Sequence, residues 1–386
     1  APQPPPDEEP WQAQSLADGA AGTALLHIEH ARRGLASWRP AHQWITQAAA
    51  GDIEASDTSS LYLGAPAVAF LLSTTPPDTQ HLYQGAAAAL HRNVTALAHR
   101  RTDAALARVR AGAPAEFAEY DLLHGLTGIG AYLLRTDRDS SAFGRILSYL
   151  VTLTTARRDR LPGWWVGHDP RRGQSLRFPG GHGNLGAAHG ITGPLLLLAQ
   201  AARRGITVDG QQDAIRTICD HLAAWQQDTG TGPWWPEHLT RADVADGRLT
   251  HNHGPGRPSW CYGTPGIARA GQLAAIALAD PALQQHYEHA LARALTDPVQ
   301  LAQVTDPGLC HGWAGIYQSA ARAAADCHTP ALKTLLQPLG DALTSHARHA
   351  TGPGFLNGAA GTALALTTHT TGQPPTSGWD ACLLVD

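Results

Sequence analysis

The sequence predicts an all-α protein built as a ring or array of helix pairs, and three observations carry that expectation. First, a Gly-x-x-Gly motif recurs seven times, as Gly19-Ala-Ala-Gly22, Gly64-Ala-Pro-Ala67 (second glycine lost), Gly125-Leu-Thr-Gly128, Gly190-Ile-Thr-Gly193, Gly263-Thr-Pro-Gly266, Gly312-Trp-Ala-Gly315 and Gly358-Ala-Ala-Gly361. Second, the first glycines stand 45, 61, 65, 73, 49 and 46 residues apart. The shorter intervals suit two helices of roughly 12 to 15 residues plus connections, and periods of this size belong to helical arrays and toroids. Third, each copy leads into an Ala/Leu-rich run, such as Leu195-Leu-Leu-Leu-Ala-Gln-Ala-Ala, that lacks the alternation of a half-buried strand.

Taken in chain order, residues 1–14 form a proline-rich, acidic tail unlike a secretion signal. Copies one and two read as purely structural loops in which glycine lets the backbone turn tightly into a helix. Copy three carries Asp121 and His124 ahead of its first glycine. Residues 157–185, with Trp164-Trp165 and Arg171-Arg172, are rich in turn signals and read as an irregular insertion. Copy four carries His189, and its Pro194 fits a first helical turn, where no N–H is missed. Cys219 lies in a helical pattern and reads as a small core hydrophobe. Residues 228–258, with Trp234-Trp235 and His251-Asn-His, form a second insertion. His251 and His253 lack a third ligand at zinc spacing and read as part of a solvated loop, while the tryptophans of both insertions could anchor a peptide. Copy five carries Cys261 and copy six Cys310-His311; Cys327-His328 falls at a helix end, outside the repeat phase. Copy seven, preceded by Asn357, is again structural.

The repeat phase turns scattered cysteines and histidines into a site. Cys261 and Cys310 each lie two residues before the first glycine of their copies, and His311 lies one before. Equivalent positions of consecutive repeats are spatial neighbours. Cys261, Cys310 and His311 are therefore expected to bind zinc with one position open, the arrangement of catalytic rather than structural zinc. His124, His189 and Asn357 occupy the one-before position of other copies, which predicts a shared polar rim.

Composition limits the function. A net charge of −4 offers no basic field for nucleic acid. No apolar stretch approaches the ~20 residues needed to span a bilayer, so a cytoplasmic protein is expected. Five cysteines, an odd number in a large chain, argue against a disulfide framework.

Tyr120-Asp-Leu-Leu-His-Gly-Leu-Thr-Gly-Ile, Gly183-Asn-Leu-Gly-Ala-Ala-His-Gly-Ile-Thr-Gly, Trp260-Cys-Tyr-Gly and Cys310-His-Gly resemble the signatures of the LanC family, the lanthionine cyclases. The likeness covers nearly the whole chain, including the tail Trp379-Asp-Ala-Cys-Leu-Leu-Val-Asp. It implies an α/α toroid with an inner and an outer ring of helices, spanning residues 15–386 as one cyclase domain of the stand-alone type. It also implies one Zn²⁺ and closure of thioether rings by adding Cys thiols of a ribosomal peptide to dehydroalanine or dehydrobutyrine. The implied partner is a dehydrated precursor peptide, with a separate dehydratase and a transporter.

The chemistry fits the residue types. Two thiolate ligands leave an incoming third sulfur electron-rich while favouring its deprotonation near pH 7. Attack on the β-carbon then creates an enolate that needs a proton. His189 is the candidate acid, since an imidazole exchanges protons near neutrality, and Asp121 could orient it or could simply cap the start of a helix. The family likeness makes the same assignments and adds Arg257 and Tyr262 as polar groups near the zinc, Arg257 to stabilise enolate oxygen or bind a peptide carbonyl, although it could merely hold its loop. Two rival readings are a zinc-dependent thiol alkyltransferase of prenyltransferase type, whose zinc set includes a carboxylate, and a peptide- or glutathione-binding protein of the same fold without cyclase activity.

Overall fold

Each of the seven motifs leads into a helix in a computed structural model of the protein, which describes residues 11–386 apart from 158, 173–174, 229, 231, 252–253 and 329. These helices are Ala20–Arg32, Ala65–Ser73, Leu126–Thr136, Thr192–Arg203, Thr264–Ala277, Trp313–Asp326 and Ala359–Thr371. They pack side by side in chain order, and the last closes on the first. All but the last are followed by an outer helix: Trp38–Ala48, Gln84–Arg110, Ser141–Thr152, Gln211–Trp225, Pro281–Ala294 and Ala331–His346. The chain is thus the expected α/α toroid.

Sequence chemistry separates the two rings. Inner helices are mostly apolar or small and largely buried; Thr264–Ala277, for example, is buried from Thr264 to Ala275, with Arg269 and Gln272 hydrogen-bonded inside. Outer helices bury one stripe, as Ala214, Ile215, Ile218, Cys219, Leu222 and Trp225 do on Gln211–Trp225. Burial pushes the Cys219 thiol up to about 12, which leaves it a neutral core group.

The glycines have a steric reason. A Cβ at Gly266 would lie 2.1 Å from the carbonyl oxygen of Trp260, and one at Gly315 would lie 1.9 Å from that of Leu309. Each loop therefore folds back directly onto its own helix. Gly263 also takes φ 117°, closed to other residues. In the degenerate second copy the loop runs differently, with Ser60 and Leu63 exchanging backbone hydrogen bonds of 2.9 Å, and buried Ala67 is accommodated.

Backbone hydrogen bonds between loops tie successive repeats together. Ala188 N–H donates to Cys261 O (3.3 Å), Cys261 N–H to Cys310 O (3.1 Å), Cys310 N–H to Leu356 O (2.9 Å) and Leu356 N–H to Ala17 O (2.9 Å). All five residues lie two before the first glycine of their copies, so the repeat phase is a physical belt through five of the seven copies, from the fourth round to the first.

The C-terminal tail fills the middle. Trp379 and Asp380 are fully buried, and Asp380 accepts from Arg322 and Gln318 at 2.6 Å. Carbonyls of Cys382, Leu383 and Val385 accept from Tyr62, Trp260 and Arg269. At the other end of the chain Gln14, the last residue of the expected tail, is buried and bonds Asp52 O (2.8 Å) and Glu54 N–H (2.9 Å).

The two insertions are less irregular than their sequence suggests. Strand Gly183–Asn184 of the first pairs antiparallel with strand His238–Leu239 of the second, placing Asn184 opposite His238. The second also holds helix Arg241–Asp246, started by a reciprocal Thr240/Asp243 cap. Trp164, Trp165, Trp234 and Trp235 are all buried. They anchor the insertions to the ring, as when the Trp235 indole donates to Leu222 O at 2.7 Å; the expected role as free peptide anchors is corrected for these four.

Candidate active site

Cys261 and Cys310 are joined directly by the belt hydrogen bond, and His311 is the next residue. Sγ of both cysteines and a ring nitrogen of His311 lie within 4.8 Å of one another. Cys261 is buried, whereas Cys310 and His311 are half-buried. The hydrogen bond shared with Cys310, aided by His311 and by the Ser259 hydroxyl 3.6 Å from Sγ, outweighs burial and favours Cys261 as a thiolate; the same shared proton pushes Cys310 up. The Asp306 carboxylate lies 3.9 Å from His311 Nε2, close enough for electrostatic attraction but beyond hydrogen-bond distance. Two sulfurs and one imidazole, partly open to solvent, make a donor set suited to zinc with a free position.

The adjoining loop carries an acid–imidazole pair whose carboxylate is buried and whose imidazole is half-buried. Asp121 is fully buried; its Oδ2 accepts from His189 Nδ1 at 2.6 Å and its Oδ1 accepts from the His124 backbone N–H at 2.6 Å. Asp121 thus closes the turn that precedes helix Leu126–Thr136 and contacts His189; it is not the helix cap, because that position is Gly125, which has no side chain to cap with. Among the described residues His189 Nε2 makes no hydrogen bond, and the side chain is 25% exposed, enough for a substrate to reach it. The exposed His124 ring stacks on His189, with centroids 5.5 Å apart and 18° between planes. Donor atoms of Asp121, His124 and His189 also fall within 4.8 Å of one another. There, however, a proton already occupies the Asp121–His189 contact, and the sulfur-rich group is the better zinc ligand set.

Tyr262 bridges the two clusters. Its ring centroid is 6.4 Å from that of His189, and it follows Cys261 in the chain. Asn184 Nδ2 donates to its hydroxyl oxygen at 3.0 Å. Burial, with the charges of Cys261, Glu237 and Asp121 around it, pushes the phenol up, so it is a neutral hydrogen-bond donor. Arg257 lies nearby, in a hollow of about 210 Å³ lined also by Trp234, Glu237, His238 and His251. Its Nε is buried without a hydrogen-bond partner among the described residues. A second hollow of about 600 Å³, lined by Phe117, His124 and Arg172, opens on the Asp121–His189 side.

Of the sequence candidates, Cys327 and His328 fall outside both clusters, with the Cys327 thiol donating to Ala324 O at 3.1 Å, and His253 lies outside the described residues. Sequence reasoning missed Glu237, Asn184 and the histidine pair His182–His238, whose rings lie 5.1 Å apart beside Tyr262. The available signal was the pair of insertions flanking His189 and Cys261, where long intervals interrupt the regular repeat.

No helix among the described residues is long and apolar enough to cross a membrane. The model of a family described as "Lanthionine synthetase C-like protein" matches residues 10–384. Among curated proteins, the chain is 23% identical over 255 residues to "Nisin biosynthesis protein NisC" of Lactococcus lactis subsp. lactis, an alignment covering 64% of this chain and 60% of that relative's length. Among solved structures, "Nisin cyclase" superposes with a TM-score of 0.83 over 97% of this chain and 93% of its own, at 19% identity, a shared fold.

Proposed function

The chain belongs to the lanthionine synthetase C-like family, and from that premise we propose that it is a zinc-dependent cyclase that adds Cys thiols of a dehydrated precursor peptide to dehydroalanine or dehydrobutyrine, forming lanthionine and methyllanthionine. The observation that carries this reading is that the loops holding the Cys261/Cys310/His311 group and the Asp121–His189 pair adjoin: Ala188, next to His189, donates to Cys261 O at 3.3 Å, and the ring of Tyr262, next to Cys261, lies 6.4 Å from that of His189. One side activates a thiol; the other supplies a proton.

Zinc held by Cys261, Cys310 and His311 would supply a position that favours the incoming cysteine as thiolate. As the C–S bond forms at the β-carbon, the former double-bond electron pair moves toward the peptide carbonyl as an enolate. Arg257 and the Tyr262 hydroxyl donate hydrogen bonds to that oxygen. His189 Nε2 then gives a proton to the α-carbon, and Asp121 stabilises the imidazolium that precedes the transfer. The proton lost by the thiol balances the one gained by carbon, so His189 is regenerated without any other reactant.

Incubation with a dehydrated precursor peptide tests this. Cyclisation does not change peptide mass, so ring formation is read as thiols that no longer take up an alkylating reagent. Peptide bound with every thiol still alkylatable would favour a binding protein, and prenyl transfer would favour an alkyltransferase.

A further inference from the structure

Asn184 is 1% exposed and sits in the short strand pair joining the two insertions. Its amide has one permitted orientation. The Gly186 N–H donates to Oδ1 at 3.1 Å, so Oδ1 is the carbonyl end, and Nδ2 necessarily faces Tyr262, 3.0 Å from its hydroxyl oxygen. The main chain of the same residue accepts from Ile191 N–H at 3.0 Å, and a Cβ at Gly190 would lie 2.5 Å from both Asn184 oxygens. One residue thus braces the turn that carries His189 and also contacts the hydroxyl of Tyr262.

We propose that Asn184 is a positioning residue that fixes the polarity of Tyr262: by donating to the phenol oxygen, it leaves the hydroxyl proton as the outward donor toward the reacting peptide. This rests on the reading of Tyr262 as part of the cyclase site. An amide NH₂ cannot accept a hydrogen bond, so Tyr262 has no way to spend its proton on this neighbour. A carboxylate at the same place would reverse the bond and consume that proton.

The test uses the full-length, zinc-loaded protein. Asn184→Asp keeps shape and the Gly186 contact. At pH 8 it is expected to lower kcat for ring closure at least 10-fold, with KM for the dehydrated peptide within 2-fold and zinc content unchanged. On acidification its rate should recover toward wild type, because a protonated carboxyl donates as the amide did. In a Tyr262→Phe background the same substitution should cost less than 2-fold, since the group it acts through is gone. An undiminished cost in the phenylalanine background, or a loss that does not recover at low pH, overturns the proposal. Wild-type cyclisation by Tyr262→Phe alone would instead remove Tyr262 from the site, a separate failure seen without touching Asn184. If the aspartate variant does not fold, Asn184→Ser, too short to reach the phenol, takes its place in the cycle with the same criterion in the phenylalanine background.

Discussion

Replacing Asp121 by asparagine probes the acid–imidazole pair with almost no change of shape. The Oδ1 position is committed to the His124 N–H at 2.6 Å, so the asparagine carbonyl must go there and its NH₂ must face His189 Nδ1. Two donors cannot share that contact, so His189 is driven to the tautomer with an unprotonated Nδ1, and the imidazolium loses its buried counter-charge. A hydrogen bond to a charged partner contributes about 1.5 to 3 kcal/mol. The Asp121–His189 contact is short at 2.6 Å, with its carboxylate fully buried, which places it in the upper half of that range. About 2 to 3 kcal/mol added to the barrier corresponds to a loss of roughly 30- to 150-fold in kcat. The assay is single-turnover cyclisation of a dehydrated peptide, read by thiol alkylation and mass spectrometry, with metal content and circular dichroism measured alongside. His189→Asn should lose about 100-fold or more, and the double variant should be no slower than His189→Asn alone, because Asp121 acts through His189. Wild-type rates in Asp121→Asn, or losses that multiply in the double variant, would refute the dyad.

Four further outcomes follow from the same structure. Cys261→Ala and Cys310→Ala should each lose zinc, measured by elemental analysis, while keeping helical content, because a ring of this size does not depend on metal for folding; full zinc occupancy in either would remove that residue from the ligand set. In cobalt-substituted protein, a dehydrated peptide with free Cys should alter the thiolate charge-transfer absorption, whereas its Cys→Ser counterpart should not; equal changes would show that the spectrum reports peptide binding in general. Glu29 is buried, yet the donors of Ser377, Thr376 and Arg33 outweigh that burial and hold its carboxyl below the usual range. Glu29→Gln should therefore cost about 3 kcal/mol in urea unfolding at pH 7. Because a depressed carboxyl stabilises above its unfolded pKa and loses that contribution as pH falls through its folded value, the wild-type advantage should shrink at acid pH. Burial holds His182 at about 4 and His238 at about 3, so below about pH 6.5 the unfolded chain takes up protons that the fold refuses. Stability should fall by up to about 1.4 kcal/mol per pH unit for each histidine between pH 6.5 and about 4, and a His182→Phe variant that retained the full acid slope would contradict this.

The sequence by itself determined the ring and the direction in which to look for its site. A glycine is required wherever a loop carbonyl lies within bonding reach of a helix start, as at Gly266 and Gly315, and that steric demand repeats once per helix pair. The repeat was therefore legible as seven copies, and Cys261, Cys310 and His311 could be recognised as neighbours because the belt bonds equivalent positions, Cys261 N–H to Cys310 O. What only the tertiary structure decided lies where contacts are long in sequence and too short in extent to impose a period. The two-residue ladder that sets Asn184 opposite His238 has no alternation to read. The buried fate of Trp164, Trp165, Trp234 and Trp235 depends on how the insertions fold back on the ring. The motifs offer Asp121 as the orienter of His189 but leave capping open, and the contact across 68 residues needs the closed ring; Asn184 reaches Tyr262 across 78 residues with no sequence signal of its own. Local pattern does not settle such pairs, because side-chain hydrogen bonds are fixed by closure of the ring in space and leave no periodic mark on the chain.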